Sequence, residues 1–268
     1  MRPYLALLKI RFANSLQYRA AALAGCATQI AFGFIYVLVY YAFYKEGHGK
    51  DFPMEMQAVA SYTWLNQAFL ALSAGWTFDR EIIGSISSGN VATELCRPLN
   101  LYAFWFAKGY ATRLAAATLR FIPVLTVAIL LPAPIGLAAP ASLTAFLLFV
   151  TTLFVGAALM VSMIMLVYNT VFYTVSSQGV TNIAMVLFEF FTGHLVPLPF
   201  FPDVLYKICS YLPFASIINV PYRIYSGDLN GPAMGHAIGL QFFWLITITA
   251  IGVLWNKRAL KRVTAQGG

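Results

Sequence analysis

Few residues in this chain have the type and spacing to do chemistry, and those few are scattered. His48, His194 and His236 lie far apart, and Cys26, Cys96 and Cys209 are isolated, with no CxxC pair. Metal sites need ligands at short, recurring spacings, so no metal ligand is assigned. Gly47-His48-Gly49-Lys50 lacks the G-x-x-x-x-G-K-[ST] spacing that cradles phosphates. No G-x-S-x-G elbow and no HExxH helix occurs, and no catalytic residue is assigned. Glu189 stands out as an acid inside an otherwise apolar run. If that run crosses a membrane, the carboxylate is costly there and functional by default unless paired. Arg120, at middle depth of another apolar run, is the expected partner. Two roles stay open for Glu189. One is a structural ion pair or a carboxylate near the outer water layer; the other is a contact that keeps the neighbouring segment closed to the outside.

The elements that would position these residues follow from composition. Of 268 residues, 60% are hydrophobic and 10% are charged, with a mean hydropathy of +0.74. A soluble domain carries about 25% charged residues, so lipid is the solvent this chain is built for. The formal net charge of +8 does not indicate nucleic acid. No basic run is interleaved with aromatics, and the basic residues gather at the ends of apolar runs, as membrane topology requires.

Six apolar runs read as spans of an all-α membrane protein. Span 1 covers 20–44, about 25 residues and too long for a cleavable signal, whose apolar region is roughly 7–15. Span 2 covers 56–78, span 3 covers 102–131, span 4 covers 143–168, and span 6 covers 234–255. Span 5, from Val180 to near Gly193, has about 14 residues, short of the roughly 17 needed to cross unless it begins nearer Val175. Ahead of span 1, residues 1–19 carry Arg2, Lys9, Arg11 and Arg19 with Leu5, Leu8, Phe12 and Leu16 near one helical face. That pattern predicts an interfacial helix; a plain basic flank of span 1 is the alternative. After span 5, Val196-Pro197-Leu198-Pro199-Phe200-Phe201-Pro202 cannot continue a helix. Segments 204–212 and 215–225 then read as two short helices separated by Pro213. Residues 195–225 are expected to form a re-entrant hairpin on the outer side, since non-helical backbone at membrane depth must be covered by protein or water.

Six spans put both termini on one side. Thirteen basic residues, among them Arg80, Arg97, Lys108, Arg113, Lys257 and Arg258 and counting Arg120 within span 3, fall on the proposed inner side, against Lys45, Lys50, Lys207 and Arg223 outside. The asymmetry predicts cytoplasmic termini and a cytoplasmic loop over 79–101.

That loop, DREIIGSISSGNVATELCRPLNL, is the main polar interruption in the chain. Gly84 and Gly89 are expected to break it and Pro98 to end any helix before it. Residues 91–97 between them suffice for about two helical turns. Glu94 and Arg97, at i and i+3, can pair with each other or with a partner.

The order of spans, the basic N-terminus, the helical loop and the Pro-rich hairpin together resemble the ABC-2 type permeases, the membrane subunits of ATP-binding-cassette exporters. The stretch from Gly89 to Leu99 is similar to that family's G-x-[hydrophobic]-x-x-x-L-x-x-P-[hydrophobic] pattern at Gly89, Val91, Leu95, Pro98 and Leu99. Its ending, Arg97-Pro98-Leu99, resembles the small six-span permease subfamily. The resemblance implies one transmembrane domain over 1–268, placed in the cell membrane as a multi-pass protein. It implies that Gly89, Val91, Glu94, Leu95, Arg97, Pro98 and Leu99 couple to separate ATPase subunits, expected as a pair. These would hold the ATP and Mg, so that this chain binds no cofactor. A second permease subunit, identical or paralogous, and membrane lipid are the other expected partners.

Phe188, Phe191, His194, Pro197 and Phe200, beside the kinked backbone, are the candidate outer gate. Tyr36, Tyr40, Tyr41 and Tyr44 read as an interfacial belt, with contact to an amphiphilic substrate as the alternative, and Gly231, Gly235 and Gly239 as a close-packing series. The apolar, aromatic pathway favours export of an amphiphilic cargo: a drug, a lipid-linked molecule or a peptide. Two other classes remain open. A stand-alone secondary transporter would have to couple ions through Glu189 and Arg120. A lipid-modifying membrane enzyme would have to use His194 with Asp203.

Overall fold

The computed structural model describes residues 6, 9–10, 13–14, 19–47, 52–96, 98–174 and 176–262. Most of the interfacial helix expected over 1–19 lies outside the described residues, as does Arg97. The described residues form α-helices and short 3₁₀ turns and no strand. Among the described residues, four helices are long and apolar enough to cross a membrane. They are α1 (Arg19–Lys45, qualifying from Leu23), and three others introduced below as α6, α7 and α11.

Span 2 is not one helix. It is α2 (Met56–Ala68), a break at Phe69, and the single turn α3 (Leu70–Ser73), followed by non-helical chain to Asp79. Every residue of α2 from Val59 to Ala68 is buried, including Ser61, Thr63, Asn66 and Gln67. A helix walled by protein on all sides need not be uniformly apolar. The end of the helix at Ser73 is tolerated because the Arg113 guanidinium donates to the carbonyls of Ala71, Leu72, Ala74 and Thr77 at 3.0–3.4 Å. Carbonyls that a continued helix would have satisfied thus find another donor. Lys108 and Arg113 lie in the first part of span 3, which their charge is expected to place in the cytoplasm or among the headgroups; both are 5% exposed and packed within the protein.

The polar loop contains two helices, α4 (Arg80–Ser87) and α5 (Val91–Leu95). Gly84 does not break it: it lies inside α4, on an exposed position where backbone bonds continue undisturbed. Then come α6 (Leu101–Leu130) and α7 (Leu143–Val171), joined by the Pro-rich turn. Next is α8 (Ser177–Phe191), of 15 residues. At 1.5 Å per residue it reaches about 22 Å, less than the roughly 30 Å hydrocarbon core. It stops before Gly193, which takes a φ of +84°. A 3₁₀ turn (Leu198–Phe200), α9 (Asp203–Tyr211), another 3₁₀ turn (Pro213–Ser216) and α10 (Asn219–Ser226) follow. The long α11 (Gly231–Leu260) completes the described fold.

α7 and α11 form the most extensive helix pair. Polar side chains join them: Gln241 Nε2 donates to the Thr152 carbonyl at 2.9 Å, Asn169 Nδ2 to the Gly252 carbonyl at 2.9 Å, and Ser162 meets Thr249 at 2.9 Å. In lipid there is no hydrophobic drive between helices, so such bonds and close packing hold them. The series Gly231, Gly235 and Gly239 takes no part. A Cβ at any of the three would meet nothing within 4 Å, so these residues pack against no helix among the described residues.

Contacts sort the connections into two ends. Trp105 stacks on Phe172 and Arg262 lies over Tyr173, which gathers the start of α6, the α7–α8 turn and the end of α11. At the other end Tyr40 and Phe52 pack on Phe200, and the Ala141 amide donates to the Tyr225 carbonyl. That end holds the top of α1, the Pro-rich turn and the α9–α10 region.

Candidate functional site

The α4–α5 segment is built from its caps inward. Asp79 begins α4 by accepting from the amides of Glu81 (2.9 Å) and Ile82 (3.3 Å). Its charge also suits the positive end of the helix. Gly89, at φ +78°, makes the left-handed turn that ends α4, its amide donating to the Ile86 carbonyl. Asn100 then caps α6 through the Ala103 amide at 2.9 Å.

Beneath these helices lie Ile82, Ile86 and Val91, all buried in the main core with Trp105, Tyr168 and Val171. Three polar ties reinforce the seat. The Asp79 amide donates to the Tyr168 hydroxyl of α7 at 2.8 Å. Lys108 Nζ of α6 sits 2.8 Å from Asp79 Oδ2 and 2.6 Å from Glu81 Oε2. Trp105 Nε1 donates to Glu94 Oε2 at 2.8 Å. The pairing expected between Glu94 and Arg97 is therefore not needed to fix Glu94: the indole, one helix away, does so. The outward face offers Arg80, Ser88, Asn90, Thr93, Cys96, Pro98 and Leu95, the last 43% exposed. Among the expected coupling residues Gly89 supplies the turn, Val91 the buried anchor, Glu94 the tie to α6, and Leu95 and Pro98 the free surface. Leu99 is half-buried.

Arg113 extends this framework. By holding the carbonyls on both sides of Gly75 it binds the end of α3 to α6. Gly75 in turn receives α8, for a Cβ there would lie 2.4 Å from Phe188 Cβ. The loop thus touches α6 and α7 directly and α8 through one further contact.

The expected pair of Glu189 with Arg120 does not form. Glu189 Oε2 lies 2.9 Å from His194 Nδ1, across the turn that ends α8. Arg120 instead faces α1, where an added Cβ on Gly25 would be 3.1 Å from its Cζ. Depth along the sequence does not reveal which neighbour each side chain faces. His194 also lies edge-on to Trp76, with ring centroids 5.4 Å apart, and its carbonyl accepts from Asn66 Nδ2 at 2.9 Å.

The five candidate gate residues separate into groups. Phe188 and Phe191 pack on Phe214, at 5.9 and 5.6 Å. His194 belongs with Glu189, Phe200 with Tyr40 and Phe52, and Pro197 is buried at the start of its 3₁₀ turn. Beside His194 a cavity of about 330 Å³ opens between α1, α2 and α8, lined by Gln29, Gln67, Trp76 and Glu189 among others. Gln29, Asn66 and Gln67 had a signal in the sequence, as carboxamides within apolar runs.

Helices of membrane-spanning length, packed by interhelical polar bonds and carrying a braced polar segment at one end, define a multi-pass membrane protein. The chain belongs to the ABC-2 family of transporter proteins, whose family model matches residues 30–267. It is a membrane component of a transporter, and its family associates with ABC ATPase subunits. A comparison with curated proteins gave no match.

Proposed function

We propose that this chain is the permease subunit of an ATP-binding-cassette exporter, moved from the cytoplasmic side by two ATPase subunits through α4 and α5. A second permease subunit, identical or paralogous, completes the pathway, and an amphiphilic cargo leaves outward. In this reading the chain crosses the cell membrane six times. The segment α2–α3 and the short α8 supply the two passes that are not single long apolar helices. Both termini are cytoplasmic, and residues 195–225 form a re-entrant hairpin on the outer side. The whole of 1–268 acts as one transmembrane domain, and ATP and Mg stay with the ATPases.

The observation that carries the reading is the way α4 and α5 are seated. A free polar loop would absorb a push by bending. This one is anchored by buried Ile82, Ile86 and Val91, and tied by Lys108, Trp105 and Tyr168 to the two helices behind it. Force applied to Thr93, Leu95 or Pro98 therefore moves α6 and α7 rather than the loop alone. Through Arg113, Gly75 and Phe188 the same displacement reaches α8.

Purification from native membranes tests the proposal. An ABC ATPase should co-elute, and its hydrolysis in reconstituted vesicles should respond to this chain. Transport by the purified chain alone, driven by an ion gradient, would overturn it.

A further inference from the structure

The cavity between α1, α2 and α8 contains polar groups that the seating of α4 and α5 does not use. Along the inner face of α1 run Gly25, Cys26, Gln29, Gly33 and Val37, spaced at helical intervals. Four of these are small or apolar and pack closely. Gln29 is 3% exposed, lines the cavity, and neither its Nε2 nor its Oε1 has a hydrogen-bond partner among the described residues. A buried carboxamide without partners is costly, and a leucine would fill the position without that cost. His194 Nε2 is likewise buried and without a hydrogen bond among the described residues. Opposite stands Glu189, whose Oε2 faces His194 while its Oε1 makes no hydrogen bond among the described residues. Its side chain is 21% exposed, so it is open to the cavity. The rest of the wall includes the rings of Phe32 and Trp76, both partly exposed.

These groups have a chemical bias. They combine a carboxylate, carboxamides and aromatic faces, and among the lining residues no Lys or Arg is present. A carboxylate oxygen and a carboxamide oxygen accept hydrogen bonds from an ammonium group. Aromatic faces attract a cation further. The volume of about 330 Å³ lies at the small end of the range for small-molecule sites, roughly 300–1,000 Å³. It has room for a head group and the first carbons of a chain. We propose that this cavity is a recognition subsite for the ammonium head of an amphiphile, with Glu189 and Gln29 as its direct ligands. The apolar tail would lie toward Phe32 and the lipid. This assignment rests on the reading of the chain as a permease for amphiphiles, and it names the chemistry that such a permease selects.

The test uses the purified protein in phosphatidylcholine nanodiscs, titrated with radiolabelled dodecylammonium, with binding to empty discs subtracted. Saturable binding of one ligand per chain is expected, and dodecyl sulfate should show none. Glu189→Gln should weaken binding about tenfold or more, as loss of a charge-assisted hydrogen bond implies. Gln29→Leu should weaken binding about threefold or more while leaving the melting temperature equal or higher, because it removes an unpaired buried amide. A purely structural Gln29 would instead lose stability on that change. Repeating the titration in discs containing phosphatidylethanolamine separates the two sources of the head group. Weaker apparent affinity there means that the resident aminolipid competes for the site; unchanged affinity means that a free amphiphile is the ligand. Either result supports the subsite.

Absence of saturable binding, unchanged binding in Glu189→Gln, or equal competition by uncharged dodecyl maltoside would overturn it. If binding is absent while an associated ATPase still drives transport, the subsite falls and the permease reading stands. If binding is present but no ATPase associates, the reverse holds.

Discussion

Lys108→Met is the sharpest perturbation of the seat beneath α4. Methionine keeps most of the side chain's apolar stem and removes only the ammonium. Lys108 is 7% exposed in its side chain, against 23% for Asp79 and 73% for Glu81. The exposed Glu81 contact counts for little, about 0–1 kcal/mol, because water screens it. The Asp79 contact at 2.8 Å is sheltered, and a hydrogen bond to a charged group there contributes about 1.5–3 kcal/mol. Together they hold α4 on α6 by about 2 kcal/mol, which corresponds to a roughly 30-fold change in the opening equilibrium. Hydrogen exchange of the α4 amides in nanodiscs reads that equilibrium directly. Lys108→Met should speed exchange in α4 by about that factor and leave α11 unchanged. Glu81→Gln, which disturbs the screened contact, should change it by no more than about fivefold. In the assembled complex Lys108→Met should also lower cargo-stimulated ATP hydrolysis while basal hydrolysis persists. Unchanged α4 exchange in Lys108→Met, or an equal effect of Glu81→Gln, would refute the assignment of the seat to this lysine.

Other substitutions test neighbouring parts of the frame. Gly75→Ala places a Cβ 2.4 Å from Phe188 Cβ, so α8 must shift; the expected cost is about 1–3 kcal/mol, read as a lower melting temperature of the purified protein. Gly89→Ala meets nothing within 4 Å but must adopt φ +78°, so it should cost about 1 kcal/mol through backbone strain alone, and Gly89→Asn should restore part of it. Trp105→Phe removes the bond to Glu94 and should raise exchange in α5 about fivefold, with α4 changed less.

The long apolar runs announced α1, α6, α7 and α11, because burial in lipid demands a continuous apolar stretch and leaves a plain signature. The polar loop was legible for the same reason reversed. What it hid was α4: Gly84 read as a breaker, yet one glycine costs a helix only about 1 kcal/mol, and the Asp79 cap with buried Ile82 and Ile86 outweighs it. The non-helical stretch after Ser73 had no local signal, since its carbonyls are met by Arg113, more than 35 residues away in the sequence. The partner of Glu189 was missed because depth along a helix says nothing about which way the helix faces. His194, five residues on and beyond the turn at Gly193, comes back to the same carboxylate. Gln29 was overlooked as a single polar residue among apolar ones, and only its burial without partners gives it meaning.

The central claim is that α4 and α5 face the cytoplasm and meet an ATPase there. Cys96 is an exposed thiol at the end of α5, whereas Cys26 and Cys209 are buried, so the native chain carries its own reporter. A membrane-impermeant thiol reagent can be applied to sealed vesicles of both orientations, with and without the ATPase subunits. Labelling of Cys96 only in inside-out vesicles, and its protection when the ATPase is present, is the predicted result. Labelling from the external face, or an unchanged rate with the ATPase bound, would contradict it.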